Sequence, residues 1–530
     1  MVTTKRQKHR LLALTLLLVA LFCLFSGCGS DETASDRRTL WVVTEQTTWD
    51  RSNGQLELVK EAFEESHQGV TIQVDYLPAS GQEREVRLQQ LRTQILQGGG
   101  PDCYLLPTDN KLILDKPVQY SYVTIEPLFP DVEIAMRNGL FTDVSAYYDA
   151  DEALGKEALC TAVMDAGVVD GARYVLPLRY DVPVICADNA ALEAAGLDPA
   201  ILEQDIGTVM EAVRQTGDPV LAGGILWEKL DAFSDFLDYD SCNATLDEEA
   251  VSQYMEAYRA LKALVGDAYY EVDSTDPSDR SMELAGPDAI RLERLDPCKY
   301  IFLEYEEANA KVAYYPLWIG SMQDTFEYVP WSDAVGTELS VLPMRTVGSG
   351  KTVATVTYYG AVGSSCDDPA LAYEFLREFL SEDVQWERNR PERKHWRDVK
   401  GAAANTSNDL QYPGLIENGW PVRDPVFFQT MWDVRRIQIY LRDVGLPIDT
   451  PNVVFLRMRR IGRKNYGDWE LPIMHTQIDL VRFNTTMSDS FAEYLARLND
   501  PKNGNVPTAA DVKELARQFA WELRWHVSEG

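Results

Sequence analysis

Between Leu88 and Asp109 the chain reads LQQLRTQILQGGGPDCYLLPTD, a helix, a glycine stop and an apolar strand within twenty-two residues. Leu88, Leu91 and Ile95 repeat at three and four residues, so one helical face is apolar and needs a sheet to cover it. Gly98, Gly99 and Gly100 break the helix. Pro101 then fixes a sharp entry into Cys103-Tyr104-Leu105-Leu106, which is apolar at every position, as expected of a parallel strand buried on both faces. Upstream, Thr39 to Val43 reads as a first strand and Thr44 to Asn53 as a polar loop. Leu56, Val59 and Phe63 form the stripe of a helix, and Val70, Ile72, Val74 and Tyr76 alternate as a second strand. The run is β-α-β-α-β, which demands right-handed crossovers and a parallel sheet. Open α/β sheets bind ligands just beyond the carboxyl ends of their strands. That rule makes Glu45 and Asp109, each at or just past a strand end, and Trp49 in the first loop candidates for ligand contact.

The N-terminus sets the compartment. Lys5, Arg6, Lys8 and Arg10 precede Leu11 to Phe25, an apolar run of fifteen residues, which suits a signal-peptide core and is short for a spanning helix. Phe25-Ser26-Gly27-Cys28 follows and resembles a bacterial lipobox, with Phe in place of the usual Leu. The resemblance implies that residues 1–27 are removed and that Cys28 is acylated, carrying palmitate-type chains at the mature N-terminus. Residues 28–37, polar and poor in apolar groups, read as a tether to the outer face of a membrane. Formal charge is −33, and the basic leader contributes +4 with no acid, so the chain beyond it is near −37. Such an acidic surface opposes binding to nucleic-acid phosphates.

Beyond the leader and Cys28, the cysteines are Cys103, Cys160, Cys186, Cys242, Cys298 and Cys366. None stands at zinc-ligand spacing, and the pattern admits both buried thiols and disulfides. The five histidines are scattered. No metal site and no cofactor is expected.

Several motifs resemble the solute-binding proteins of ABC importers, in particular the family that includes maltose-binding protein. Gly100-Pro101-Asp102 stands before the third strand, with Trp41 in the first strand and Glu45 after it. Gly171-Ala172-Arg173-Tyr174-Val175-Leu176-Pro177 matches the family's G-x-x-Y-x-L-P turn, after which the chain passes to a second lobe. Ala308 to Trp318 resembles the family's strand-and-turn ending in Trp, and Val341-Leu342-Pro343 its return to the first lobe. Asp368-Pro369 caps a helix, and its AYEFLREFL run is similar to another family helix. The likeness extends from about Leu40 to Gln385.

The resemblance implies an α/β fold of two lobes, each a mostly parallel sheet flanked by helices, with the ligand cleft between them. Lobe one is expected at 38–180 and 342–394, and lobe two at 181–341 and 395–530, with the last crossing near 395–405. It also implies a sugar-contacting acid at Asp181 and a sugar-stacking ring at Trp318. Twelve Trp and 25 Tyr suit stacking on sugar faces while carboxylates accept hydroxyl protons.

Gly348-Ser349-Gly350-Lys351-Thr352 imitates the end of a phosphate loop, but the motif needs glycine where Arg345 stands, and a strand follows in place of a helix. No Gly-x-Ser-x-Gly elbow, His-Glu-x-x-His helix or nucleophile beside a histidine is present, so no catalytic residue is assigned. The expected protein is a monomeric extracellular lipoprotein that captures a sugar or oligosaccharide and delivers it to an ABC permease. The alternatives are a secreted carbohydrate-active hydrolase, since 83 acids always offer a carboxylate pair, and a lipoprotein that presents ligand to a membrane sensor.

Overall fold

The computed structural model describes residues 38–45, 55–78, 81–108, 111–116, 119–124, 126–226, 233, 236–238, 243–265, 290–293, 311–314, 316–321, 339–385, 419–423, 478–483, 486–498 and 508–529. The leader, Cys28, the tether, Trp49 and Asp109 lie outside the described residues.

Strand β1 (Arg38–Glu45) is buried from Leu40 onward apart from Trp41, because it lies between β2 (Val70–Leu77) and β3 (Cys103–Pro107) and runs parallel to both. Helix α1 (Gln55–Ser66) joins β1 to β2, and α2 (Gly81–Leu96) joins β2 to β3. Their apolar stripes, Leu56, Val59 and Phe63 in one and Leu88, Leu91 and Ile95 in the other, are buried in the core that covers this sheet. The Gly-Pro-Asp turn has a defined task. The Asp102 carboxylate accepts the Trp41 N–H at 2.8 Å, and the Asp102 N–H donates to the Trp41 carbonyl at 2.9 Å, so the turn locks the start of β3 onto β1.

A short helix, α3 (Val132–Arg137), precedes β4 (Val175–Asp181), from which the chain leaves the sheet through Val182 into β5 (Pro183–Asp188). In the second lobe, β5 lies between β6 (Leu317–Ser321) and β7 (Leu339–Pro343). Helices α4 (Ile206–Thr216), α5 (Pro219–Ile225) and α6 (Glu248–Val265) pack here. After β7 the chain returns to the large sheet as β8 (Val353–Val362), which runs between β3 and β4, and α7 (Pro369–Arg377) covers the sheet. Two short strands complete it, β9 (Trp420–Pro421) on β4 and β10 (Leu480–Arg482) on the stretch of β8 that β3 leaves uncovered. The chain ends in α8 (Thr486–Leu498) and α9 (Ala509–Glu529).

Two hydrophobic cores result. One lies around β1, β3, β4 and β8 and takes in Val184 and Cys186 of β5 and Val341 of β7; the other lies around Ile185 and Ala187 of β5, β6 and the helices α4, α5, α6, α8 and α9. Phe233 anchors the second, with the rings of Phe491, Tyr254 and Phe519 at 5.1, 5.4 and 6.2 Å. The molecule is thus an α/β protein of two lobes, each a sheet with helices.

The leading β-α-β-α-β run is parallel, whereas β8 is antiparallel to β3 and β4, and β6 and β7 are antiparallel to β5. The reason is the crossing. A chain that leaves a sheet at one edge and re-enters at the same edge must run back along its neighbours. The sequence reading gives everything after residue 394 to the second lobe, but β9 and β10 lie in the large sheet and Trp420, Val422, Val481 and Phe483 in its core. Among the described residues the last passage to the second core falls between Phe483 and Phe491.

The segment from Met344 to Thr352 is a tight loop between lobes. Thr346 N donates to Lys351 O at 2.9 Å and Gly350 N to Thr346 O at 3.1 Å. Lys351 and Thr352 lead into strand β8, so they open no helix N-terminus for phosphate.

Candidate functional site

The C-terminal ends of β1, β3 and β4 and the start of β8 share one edge of the large sheet. The register shows this directly: Thr44 stands opposite Leu105, Pro107 opposite Tyr358, and Asp181 opposite Thr355. Hydrogen bonds tie these ends together. Thr44 Oγ1 donates to Leu105 O at 2.7 Å, Tyr358 Oη donates to the same carbonyl at 3.4 Å, and Thr108 N donates to Thr357 O at 3.0 Å. Thr108 also donates from its hydroxyl to Val356 O. Thr108, the residue before Asp109, is therefore fixed to β8 by two bonds. From the same edge the chain crosses to the second lobe. Thr355 has Asp181 on one side and Arg482 on the other, so segments adjoining all three crossings lie side by side there.

Glu45 ends β1 at this edge, but its carboxylate does not face a cleft. It is 2 % exposed, and both oxygens accept from Arg84 of α2, Oε2 from Nη1 at 2.7 Å and Oε1 from Nη2 at 2.8 Å. Arg84 further donates to Pro78 O at 2.9 Å and to Glu126 O twice, at 2.6 and 3.2 Å. Burial pushes the Glu45 carboxyl up, against the lowering effect of the Arg84 hydrogen bonds and charge. The expectation that Glu45 accepts ligand hydroxyls is corrected: its acceptors are used inside the lobe, where they hold the first loop's root to α2 and to the segment before α3. A signal for this was present. Arg84 stands four residues before Leu88, on the stripe that continues to Leu91 and Ile95, and an arginine on an apolar stripe requires a buried acid.

Asp181, the last residue of β4, is half-buried at the first crossing, where its Oδ1 accepts the Val182 N–H at 2.8 Å. Trp318 lies in β6 opposite Cys186, in the second-lobe sheet. The structure thus brings Asp181 and the root of Asp109 to one edge and puts the Trp318 backbone in the facing lobe. Thr108 and Tyr358 belong to the same edge and escaped the sequence reading, because nothing in the local pattern distinguishes a strand-end hydroxyl that bonds across a sheet.

Among the described residues no group of three His, Cys, Asp or Glu side chains could hold a metal ion, and no helix is long and apolar enough to cross a membrane. Cys103 and Cys366 are free thiols.

Several solved structures are similar to the chain. A family 1 extracellular solute-binding protein from Alicyclobacillus acidocaldarius is 11 % identical, with 93 % of this chain and 100 % of that one covered at a TM-score of 0.44. An ABC substrate-binding protein from Listeria monocytogenes in complex with cycloalternan is 13 % identical over 93 % and 99 % of the two chains, TM-score 0.44. A periplasmic oligogalacturonide-binding protein from Yersinia enterocolitica is 12 % identical over 93 % and 99 %, TM-score 0.46. No curated protein matches the chain. The family model for bacterial extracellular solute-binding proteins matches residues 53–386, well over half of the chain. The chain belongs to the family of bacterial extracellular solute-binding proteins.

Proposed function

We propose that this protein captures a carbohydrate outside a bacterial cell, between its two lobes, and delivers it to an ABC permease. The observation that supports the reading is the shared edge, where the strand ends, the segments adjoining the crossings, Asp181 and the residue before Asp109 meet beside the second lobe. The cleft would be lined by Asp109 and Asp181, which accept sugar hydroxyls, and by Trp318, stacked on a ring from the other lobe, with Trp49 at its rim. Lobe one would comprise the large sheet, including residues 420–421 and 480–482, and lobe two the segment from 181 to 341 with the C-terminal helices. Ligand would close the lobes, and the permease would read the closed form. No catalytic residue is assigned, and the sugar is released unchanged.

Thermal-shift screening of a sugar library identifies the ligand, since a ligand bound only to the folded state raises the melting temperature. Asp109→Ala, Asp181→Ala and Trp318→Ala are then titrated calorimetrically. Losing a charged hydrogen-bond partner is worth about 1.5–3 kcal/mol, roughly ten- to more than a hundredfold in affinity. Loss of the stacked ring should cost somewhat less. Three folded variants that bind like the parent would refute the site. Recovery of cleaved sugar after incubation would instead establish the hydrolase.

The lipobox gives a separate expectation. In membrane-processed protein the mature N-terminus should be an acylated Cys28, and Cys28→Ala should leave the leader attached. Mass spectrometry of an intact, unmodified Cys28 in that fraction would overturn the anchor and leave the capture reading standing.

A further inference from the structure

Helix α3 sits on the seam between the lobes. Val132, Ala135 and Met136 are buried in the first core, while Ile134 packs against the second. Asp131 caps the helix, accepting the Ile134 N–H at 2.8 Å through Oδ1, and its other oxygen lies 2.8 Å from Nε2 of His526 on α9. Two residues on, Glu133 Oε1 is 3.3 Å from Nη1 of Arg482 in β10. The second Arg482 nitrogen donates to the carbonyl of Leu237, a residue of the second core. All four side chains are largely withdrawn from water: Asp131 is 4 % exposed, Glu133 9 %, Arg482 13 % and His526 23 %.

These contacts differ in which lobe supplies each partner. Arg482 of the large sheet stands beside Thr355, near the first crossing, and its partner Glu133 lies on a helix packed on the same lobe, so a rotation of the lobes leaves that pair in place. His526 is near the end of α9 and belongs to the second lobe, whereas Asp131 moves with the first. A rotation about the crossings must therefore stretch or release the His526–Asp131 contact.

We propose that α3 is an inter-lobe clasp, with Arg482 as its fixed pin and the Asp131–His526 bond as its releasable catch, and that the clasp sets the resting angle between the lobes. The proposal deepens the capture reading by naming what holds the unliganded protein in one arrangement. Among the described residues the seam at α3 includes Ile134 packed on the second core, the Asp131–His526 contact and the Arg482–Leu237 hydrogen bond.

The test needs no ligand, so its outcome is independent of which sugar binds. Distance probes are attached through unnatural ketone side chains at Glu61 on α1 and Gln253 on α6, both exposed, in the full mature chain. The parent should give one distance population. His526→Ala and Asp131→Asn should each raise a second population above about a tenth of the molecules, and the double variant should match the singles because all three remove one bond. Asn keeps the helix cap, so Asp131→Asn remains informative if another change at the seam impairs folding. Distance distributions identical to the parent's in both single variants would overturn the clasp, as would additive effects in the double variant. Failure of sugar capture with these distributions changed as expected would refute the proposed function and leave the clasp standing.

Discussion

Arg84→Ala should destabilise the first lobe by about 3–5 kcal/mol, the usual consequence of removing one partner from a buried ion pair. The cause is specific. Arg84 and Glu45 have side chains only 4 % and 3 % exposed, so removal of the guanidinium leaves a carboxylate in the core with no cation, and also leaves the Pro78 and Glu126 carbonyls without this donor. In the variant the two influences that lower the Glu45 carboxyl vanish and burial acts alone, so its pKa in the folded state rises further. A carboxyl raised above its unfolded value stabilises the fold relatively more at low pH and loses that advantage as pH rises. The deficit against the parent should therefore widen from pH 5 towards pH 8, by up to about 1.4 kcal/mol per pH unit while Glu45 stays protonated. Urea midpoints for both proteins at the two pH values measure it. Replacing both partners by apolar residues, Glu45→Leu with Arg84→Met, should recover most of the loss, since an uncharged pair of similar volume leaves nothing unpaired. A midpoint unchanged by Arg84→Ala at either pH would show that water reaches Glu45.

Gly363→Ala should cost about 1–3 kcal/mol or more through overpacking, and the reason lies in the turn that organises the first lobe. A Cβ on Gly363 would sit 2.1 Å from the Pro101 carbonyl oxygen and 3.4 Å from the Tyr104 ring. The backbone cannot move aside. Gly363 N donates to Asp102 O at 2.8 Å, its carbonyl accepts from Thr142 Oγ1 at 2.8 Å, and it bridges to Phe141. The added methyl thus pushes on the segment that also holds Trp41 of β1. Gly99→Ala is the control, because its Cβ would meet only the Gln94 carbonyl at an ordinary 3.6 Å. Equal urea midpoints for the two variants would show that the Pro101 turn yields freely.

The leading part of the fold follows from local pattern. Leu88, Leu91 and Ile95 face the sheet as their spacing demands, β3 is buried along its length, and β1 runs parallel to both neighbours. Periodicity carries this information because one buried face per element is enough to place a helix on a sheet. The family motifs between Leu40 and Gln385 were legible for the same reason, being contiguous in the chain.

What tertiary structure alone decided are the pairings between distant segments. Glu45 reads as a ligand acid until Arg84, thirty-nine residues on, is seen to occupy both its oxygens. The direction of β8 follows from the edge at which the chain re-enters, and no property of Val353–Val362 encodes it. β9 and β10 join the large sheet through two and three residues, too short to carry a period, and become visible only when β4 and β8 offer uncovered edges. The seam at α3 joins residues 131 and 133 to 526 and 482, separations at which side-chain pairing leaves no local signal, because any of the chain's 83 acids could have met those two side chains.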